Sequence, residues 1–205
     1  MNIQTSTSDL YVQLEACIKQ ADIDGALSVL DDLCRQHGDQ VAPWEIRGLL
    51  EATAGRPNSA IHYFKRASQF AALEAWSVRT MALQYVALNK ISVAVDILHT
   101  QGMTGQLETS MVRMLSTDLL NLGASELSLD ILNKATQERP DDPLLWHELS
   151  AVQSSAGKPA EVCLNTVKMA IMLSPSTTEF RVTAATLLIR MDELQMAYDL
   201  VCQVV

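Results

Sequence analysis

Four cysteines and four histidines are the residues of this chain that could bind a metal ion or act as nucleophiles. Cys34 and His37 stand at a spacing that zinc sites use, but no second ligand pair follows them, and Cys17, Cys163 and Cys202 complete no CxxC motif. We therefore expect free thiols, buried where Cys17 and Cys163 fall at inward helix positions. Neither a metal site nor a bound cofactor is expected.

The remaining histidines, His62, His99 and His147, show no catalytic or ligand spacing. The sequence also contains no P-loop, no HExxH, no GxSxG and no Rossmann glycine fingerprint. These observations predict a protein that is not an enzyme. The first residues do not combine a basic region with an apolar core, and no apolar stretch has the length of a membrane span. Together with free thiols, this predicts a cytoplasmic location.

The charge of the chain restricts the class of partner. It has 15 Lys and Arg against 24 Asp and Glu, a formal net charge of −9 at pH 7. A surface that follows the phosphates of a nucleic acid, or that binds anionic lipid, needs an excess of basic residues. We expect a protein or peptide partner, with no nucleic-acid binding and no membrane insertion.

A repeat of 34 residues determines where these side chains must lie. Large apolar residues recur at this interval, and four positions later stands a column of mostly small residues, as expected where two helices approach closely. Two further apolar columns define a second amphipathic segment in each repeat, after a turn marked by glycine or asparagine. The columns are Leu10, Trp44, Val78, Val112, Trp146 and Phe180; Leu14, Gly48, Ala82, Ser116, Ser150 and Ala184; Ala26, Ala60, Ala94 and Ser128; and Leu30, Phe64, Leu98 and Leu132.

This pattern resembles the tetratricopeptide repeat, Trp-x2-Leu-Gly-x2-Tyr, then Ala-x3-Phe, then Pro. The second unit matches with Trp44, Gly48, Gly55, Ala60, Phe64 and Ala67, and the fifth with Trp146, Leu149, Ser150, Gly157, Ala170 and Pro175. The resemblance implies an all-α, right-handed α-solenoid of helix-turn-helix repeats. We expect a single repeat domain over residues 8–205 after a short polar arm, residues 1–7. Arg47 and Glu51 depart from the family, which usually has Leu and Tyr there.

One further column could bind a partner. It follows the large column by one residue and is basic or potentially basic from the third repeat onward: Tyr11, Glu45, Arg79, Arg113, His147 and Arg181. By resemblance to the family, this position faces the concave groove. The same helices add Leu83, Thr117, Ala151 and Ala185 one turn later and Asn121 two turns later, and Trp76 flanks Arg79.

Two interpretations of this column stay open. In the first, the arginines are exposed helix positions that pair with acidic neighbours such as Glu148. In the second, the column binds an acidic or C-terminal segment of a partner through charge-assisted contacts.

The C-terminal segment is a second candidate surface. It is apolar at Tyr198, Val201, Val204 and Val205, and no polar capping helix follows. This pattern indicates self-association into a homo-oligomer, a docked partner, or a fragment of a longer protein.

The whole pattern predicts a protein-protein interaction scaffold or adaptor that binds a partner segment in the concave groove. Two alternatives remain. The chain could be a regulatory or dimerising module of a larger enzyme, such as a glycosyltransferase or sulfotransferase, or it could be a secretion chaperone.

Overall fold

The computed structural model describes residues 7–202, and within them the chain forms twelve α-helices connected by short turns. Glycine or asparagine follows four of the first helices with left-handed backbone, at Gly55 (φ +70°), Asn89 (φ +58°), Gly123 (φ +78°) and Gly157 (φ +74°), as the sequence predicts. The helices are α1 Thr7–Lys19, α2 Ile23–Gln36, α3 Val41–Thr53, α4 Pro57–Ala67, α5 Ala75–Ala87, α6 Ile91–Gly102, α7 Thr109–Asn121, α8 Ser125–Glu138, α9 Pro143–Ser155, α10 Ala160–Leu173, α11 Thr178–Arg190 and α12 Leu194–Cys202.

The chain divides into two compact units, residues 1–97 and residues 98–205, and the boundary falls within α6. Residues 1–6 of the predicted polar arm lie outside the described residues, and Thr7 is already the first residue of α1. The single repeat domain over residues 8–205 and the polar arm stay predictions.

In the first unit, each helix from α1 to α4 packs against the next one along the chain. The predicted apolar columns form its core, where Leu30 and Phe64 are fully enclosed. The contact between α3 and α4 is especially close, since a Cβ added to Gly48 would lie 2.7 Å from Cε1 of Phe64. The small column therefore has the role that its residue types predict, which is to let two helices approach.

The departures at Arg47 and Glu51 form a partly buried ionic cluster. The Arg47 guanidinium donates to Asp31 of α2, lies 4.3 Å from the ring centroid of Tyr63, and places Nε 4.0 Å from Oε1 of Glu51. Glu51 is only 5% exposed, and its Oε2 also accepts from Arg56 at 3.5 Å. Arg47 and Glu51 thus place opposite charges where the tetratricopeptide pattern usually has Leu and Tyr, and Asp31 of α2 and Arg56 of the turn before α4 extend the cluster.

In the second unit, each helix from α7 to α11 packs against the next one, and α10, α11 and α12 share one apolar core. Serines occupy two of the three positions of the small column in this unit, and each is satisfied by a hydrogen bond. Ser116 Oγ lies 2.7 Å from Ser128 Oγ, and Ser150 Oγ donates to the carbonyl of Cys163 at 2.7 Å. Buried hydroxyls are tolerated in this core because each has a partner.

Candidate functional site

The predicted groove residues of the first unit differ in how accessible they are. Trp76 is 52% exposed, and the guanidinium carbon of Arg79 lies 5.7 Å from its ring, so Trp76 flanks Arg79 as predicted. Tyr11 and Leu83 are half-buried, and Tyr11 packs against the core of α1 and α2. Glu45 Oε1 accepts the backbone N–H of Glu74, the residue before α5, at 2.8 Å. Glu45 is therefore engaged within the unit, and the Trp76–Arg79 pair is its more accessible feature.

In the second unit, Arg113 of α7 pairs with an acidic residue of α9. Its Nε donates to Oε2 of Glu148 at 3.0 Å, and the hydroxyl of Thr117 donates to the other carboxylate oxygen at 3.4 Å. Arg113 thus makes the ion pair with Glu148 that the first interpretation of the basic column names. Asn121, one turn beyond Thr117 on α7, is exposed.

His147 does not provide the charge that its column suggests. The residue is only 8% exposed, packs against Phe180 with 4.9 Å between ring centroids, and lies 2.9 Å from the hydroxyl of Thr183 through Nε2. Burial lowers the pKa of His147 below its ordinary value, against the opposing charges of Glu179 and Glu148. The imidazole is neutral at pH 7, because an uncharged ring is favoured where water is excluded.

The last member of the column, Arg181, is also engaged. Its Nη2 donates to the backbone carbonyl of Pro175, in the turn before α11. This hydrogen bond occupies one of the five N–H donors of the Arg181 guanidinium.

A crevice between α9 and α11 is a polar feature of the second unit that the prediction largely missed. It encloses about 300 Å³ and is bridged by two hydrogen bonds: His147 to Thr183 at 2.9 Å, and Nη1 of Arg190 to Oγ of Ser154 at 2.7 Å. Its lining combines one guanidinium, four hydroxyls and three apolar side chains: Arg190, Ser150, Ser154, Thr183, Thr186, Ala151, Val182 and Leu187.

Of these lining residues, the sequence indicated only Ala151 as a groove position. Arg190 was missed because the positions one and two repeats earlier are Ala156 and Leu122, so no basic column leads to it. The bridging pairs are separated by 36 residues, two more than the repeat. A search for polar pairs near that separation, rather than at the strict period, would have found Ser154 with Arg190.

The exposed side chains of α12 form a second candidate surface. Tyr198 is 66% exposed and Val201 is 45% exposed. Val204 and Val205, also predicted for self-association, lie outside the described residues.

Residues 7–202 contain neither a cluster of potential metal ligands nor a helix that could span a membrane. No three His, Cys, Asp or Glu side chains in this part of the chain come together as metal ligands would. No helix within the same residues has both the length and the apolar character to cross a membrane.

Comparison with known proteins identifies the fold. No protein-family model matches the chain, and no curated protein matches it in sequence. Solved structures do match. The C-terminal part of a TPR repeat-containing protein from Cytophaga hutchinsonii aligns with a TM-score of 0.68 at 12% identity, covering 93% of this chain and 77% of the other.

Two further solved structures also align with this chain. MamA from Desulfovibrio magneticus RS-1 gives a TM-score of 0.58 at 15% identity over 80% of this chain and 92% of its own. YrrB, described as a TPR protein with an unusual peptide-binding site, gives 0.57 at 15% identity over 83% and 88%. The chain therefore has the all-α fold of tetratricopeptide-repeat proteins, as predicted. The handedness of the array stays a prediction.

Proposed function

We propose that this chain is a protein-interaction scaffold and that its second unit binds an acidic group of a partner polypeptide in the crevice between α9 and α11. The observation that carries the proposal is the crevice itself, where the guanidinium of Arg190 closes one end of a cavity of about 300 Å³ lined by hydroxyls. This combination suits a carboxylate within a peptide better than it suits a purely apolar ligand.

The donors and acceptors of the crevice define the chemistry of the bound segment. Arg190 uses Nη1 for Ser154, and a guanidinium carries further N–H donors in a planar fork that matches a carboxylate. The hydroxyls of Thr183 and Thr186 donate to carbonyls of their own helix, at Glu179 and Val182. Their lone pairs can therefore accept from the backbone N–H groups of an extended peptide, while Arg190 receives its acidic group.

The predicted groove on the first helices remains part of this proposal. In the first unit, the Trp76–Arg79 pair offers an exposed aromatic ring and a cation. In the second unit, Thr117 and Asn121 offer neutral polar side chains on α7. The description of YrrB as peptide-binding supports the general class of function, since that protein shares this fold.

The test is selection from a library of random twelve-residue peptides by the purified chain. We expect enrichment of peptides that contain Asp or Glu. Binding of the selected peptides, measured by fluorescence anisotropy, should weaken at least tenfold in Arg190→Gln. The matched control is Arg35→Gln, an exposed arginine of α2 that pairs with Asp32 on the same helix.

A second variant separates charge from shape. Ala151→Leu fills the crevice without changing any charge, and Ala16→Leu makes the same change at an exposed position of α1. Binding should be lost in the first variant and kept in the second. Selected peptides without acidic residues, or equal binding by Arg190→Gln and the parent chain, would contradict the proposal.

A further inference from the structure

A cavity of about 290 Å³ lies between α10, α11 and α12 in the second unit, and we call it the α10–α12 cavity. Its most deeply buried lining residues belong to the apolar core of this unit: Leu164, Ala184 and Leu188. Four further apolar side chains and one lysine complete the lining: Ile171, Met172, Met196, Leu200 and Lys168. The cavity is therefore almost wholly apolar, with a single charged group.

The repeat pattern does not by itself produce an apolar cavity at this place. Between α8 and α10, the corresponding positions lie 34 or 35 residues earlier and are mostly polar: Leu129, Asn133, Thr136, Gln137, Ser150, Ser154, Val162 and Thr166. Five of these six polar positions hold apolar residues in the α10–α12 cavity, and the sixth holds Lys168. The apolar lining is thus a property of this pair of repeats.

Between α6 and α8, the same space is closed by direct packing. Gly102 and Ile131 hold the positions of Ile171 and Leu200 there, and a Cβ added to Gly102 would lie 2.2 Å from Cδ1 of Ile131. Ile131 is only 1% exposed as a result. In the α10–α12 cavity an isoleucine replaces the glycine, so Leu200 cannot approach in this manner and is only half-buried. An open apolar space remains where close packing is the norm.

The side of α12 that lines the cavity is one that following helices leave accessible. Val162 and Thr166 hold the positions of Met196 and Leu200 one repeat earlier, in α10. Both are only partly covered, Val162 being 44% exposed, although α11 and α12 follow them. The cavity therefore opens on the outer side of the second helices, away from the surface on which the next helix packs.

The exposed residues at the mouth of the cavity indicate what can enter. Met172 and Met196 are 72% and 52% exposed, and methionine side chains adapt to irregular apolar ligands. Lys168 is exposed, and its ammonium pairs with no carboxylate within residues 7–202. One cation beside an apolar cavity suits a ligand with an apolar body and one negatively charged end.

We propose that the α10–α12 cavity binds a medium-chain fatty acid, with the hydrocarbon chain against Ile171, Leu188 and Leu200 and the carboxylate beside Lys168. Its volume lies at the lower end of the range for small-molecule sites, about 300–1,000 Å³, which favours a short chain over a long one. The cavity shares no lining residue with the crevice between α9 and α11, so this site is distinct from the proposed peptide site.

The test is titration calorimetry of the purified chain with octanoate, butyrate and octylamine, each below its micelle concentration and at low salt. Octanoate should bind at least fivefold more tightly than butyrate, which has the same head group and less apolar surface. It should bind at least threefold more tightly than octylamine, which has the same chain and the opposite charge. That preference is diagnostic, because the net charge of −9 would favour octylamine in non-specific binding.

Two variants separate the contributions of the chain and the head group. Met172→Ser/Met196→Ser removes apolar surface at the mouth without disturbing the core and should weaken octanoate binding at least fivefold. Its matched control, Met103→Ser/Met169→Ser, changes two methionines that are 39% and 37% exposed and do not line the cavity, and should bind as the parent does.

Lys168→Gln removes the one charge of the lining. The preference for octanoate over octylamine should fall below about twofold, because an exposed ion pair changes affinity by a factor of about 1.5 to 5. Lys90→Gln, at an exposed lysine of the first unit, is the matched control and should keep the preference. Far-UV circular dichroism establishes that all four variants are folded.

Four results would overturn the proposal. The first is absence of saturable octanoate binding. The second is equal weakening by the two double methionine variants, and the third is an unchanged preference in Lys168→Gln. The fourth is tighter binding of acetyl-dileucine than of octanoate, which would show that the cavity accepts the end of a polypeptide instead.

Discussion

The close contact between Gly48 and Phe64 gives the sharpest prediction for stability. Replacing Gly48 with alanine adds a Cβ at 2.7, 2.8 and 3.0 Å from three ring carbons of Phe64, where ordinary contacts begin near 3.4 Å. Phe64 is fully enclosed and cannot move aside freely. Overpacking of this kind costs about 1–3 kcal/mol.

Alanine also favours the helix over glycine by about 1 kcal/mol, which offsets part of this cost. We therefore expect Gly48→Ala to lower the free energy of unfolding by up to about 2 kcal/mol. The other repeats show how the clash is relieved. Ser116 and Ser150 carry a Cβ at the same position, and the corresponding second-helix residues, Leu132 and Val167, are aliphatic.

Phe64→Leu alone should cost about 1 kcal/mol through lost ring contacts. The double variant Gly48→Ala/Phe64→Leu copies the combination of the third repeat, Ala82 with Leu98. It should lose less than the sum of the two single losses, with a coupling of about 1 kcal/mol or more. Urea unfolding followed by far-UV circular dichroism and tryptophan fluorescence measures all three variants. Strict additivity, or stabilisation by Gly48→Ala alone, would refute the packing argument.

Three further predictions concern buried polar groups. Because burial lowers the pKa of His147, the unfolded chain binds its proton at higher pH than the folded chain, so stability falls as pH drops below about 6.5. His147→Gln should lessen that fall in urea unfolding at pH 7 and pH 5; an identical pH dependence would contradict this. Glu51→Ala removes one of the two acidic partners of the mostly buried Arg47 guanidinium, which keeps Asp31, and should cost about 1–2 kcal/mol. Asp24→Ala, at a 90% exposed side chain, should change stability by less than about 0.5 kcal/mol. Similar losses in chemical denaturation would contradict the ionic cluster. Burial raises the pKa of the Cys163 thiol, so iodoacetamide should modify the exposed Cys202 at least tenfold faster than Cys163. Peptide mass spectrometry follows both reactions. The two rates should become equal only in urea, and equal rates in the folded chain would contradict this prediction.

The sequence predicted the helix pairs well because their formation depends on short-range periodicity. Apolar residues four positions apart share a helix face, and a glycine or asparagine that tolerates left-handed backbone ends the first helix. The glycine or asparagine is visible in the four middle repeats, whereas Ala21 and Asp192 take this position in the first and last repeats. The close approach at Gly48 was also predictable, because a missing side chain at a regular position means that something else fills the space.

The candidate sites were less predictable, because a column in the sequence specifies a helix face but not the neighbours of that face. Arg113 and His147 belong to one column, yet Arg113 is paired with Glu148 and His147 is buried and neutral. Arg190 belongs to no basic column and nevertheless closes the crevice through Ser154.

The sequence by itself therefore determined the period, the helix pairs and the small column, since each follows from residue types along one or two helices. Only the tertiary structure decided which polar groups remain available to a partner. That outcome depends on the angles at which α7, α9 and α11 present side chains separated by 31 to 36 residues. Such pairings do not repeat at the 34-residue interval, because neighbouring helices are displaced and rotated relative to each other, and so the periodic pattern could not reveal them.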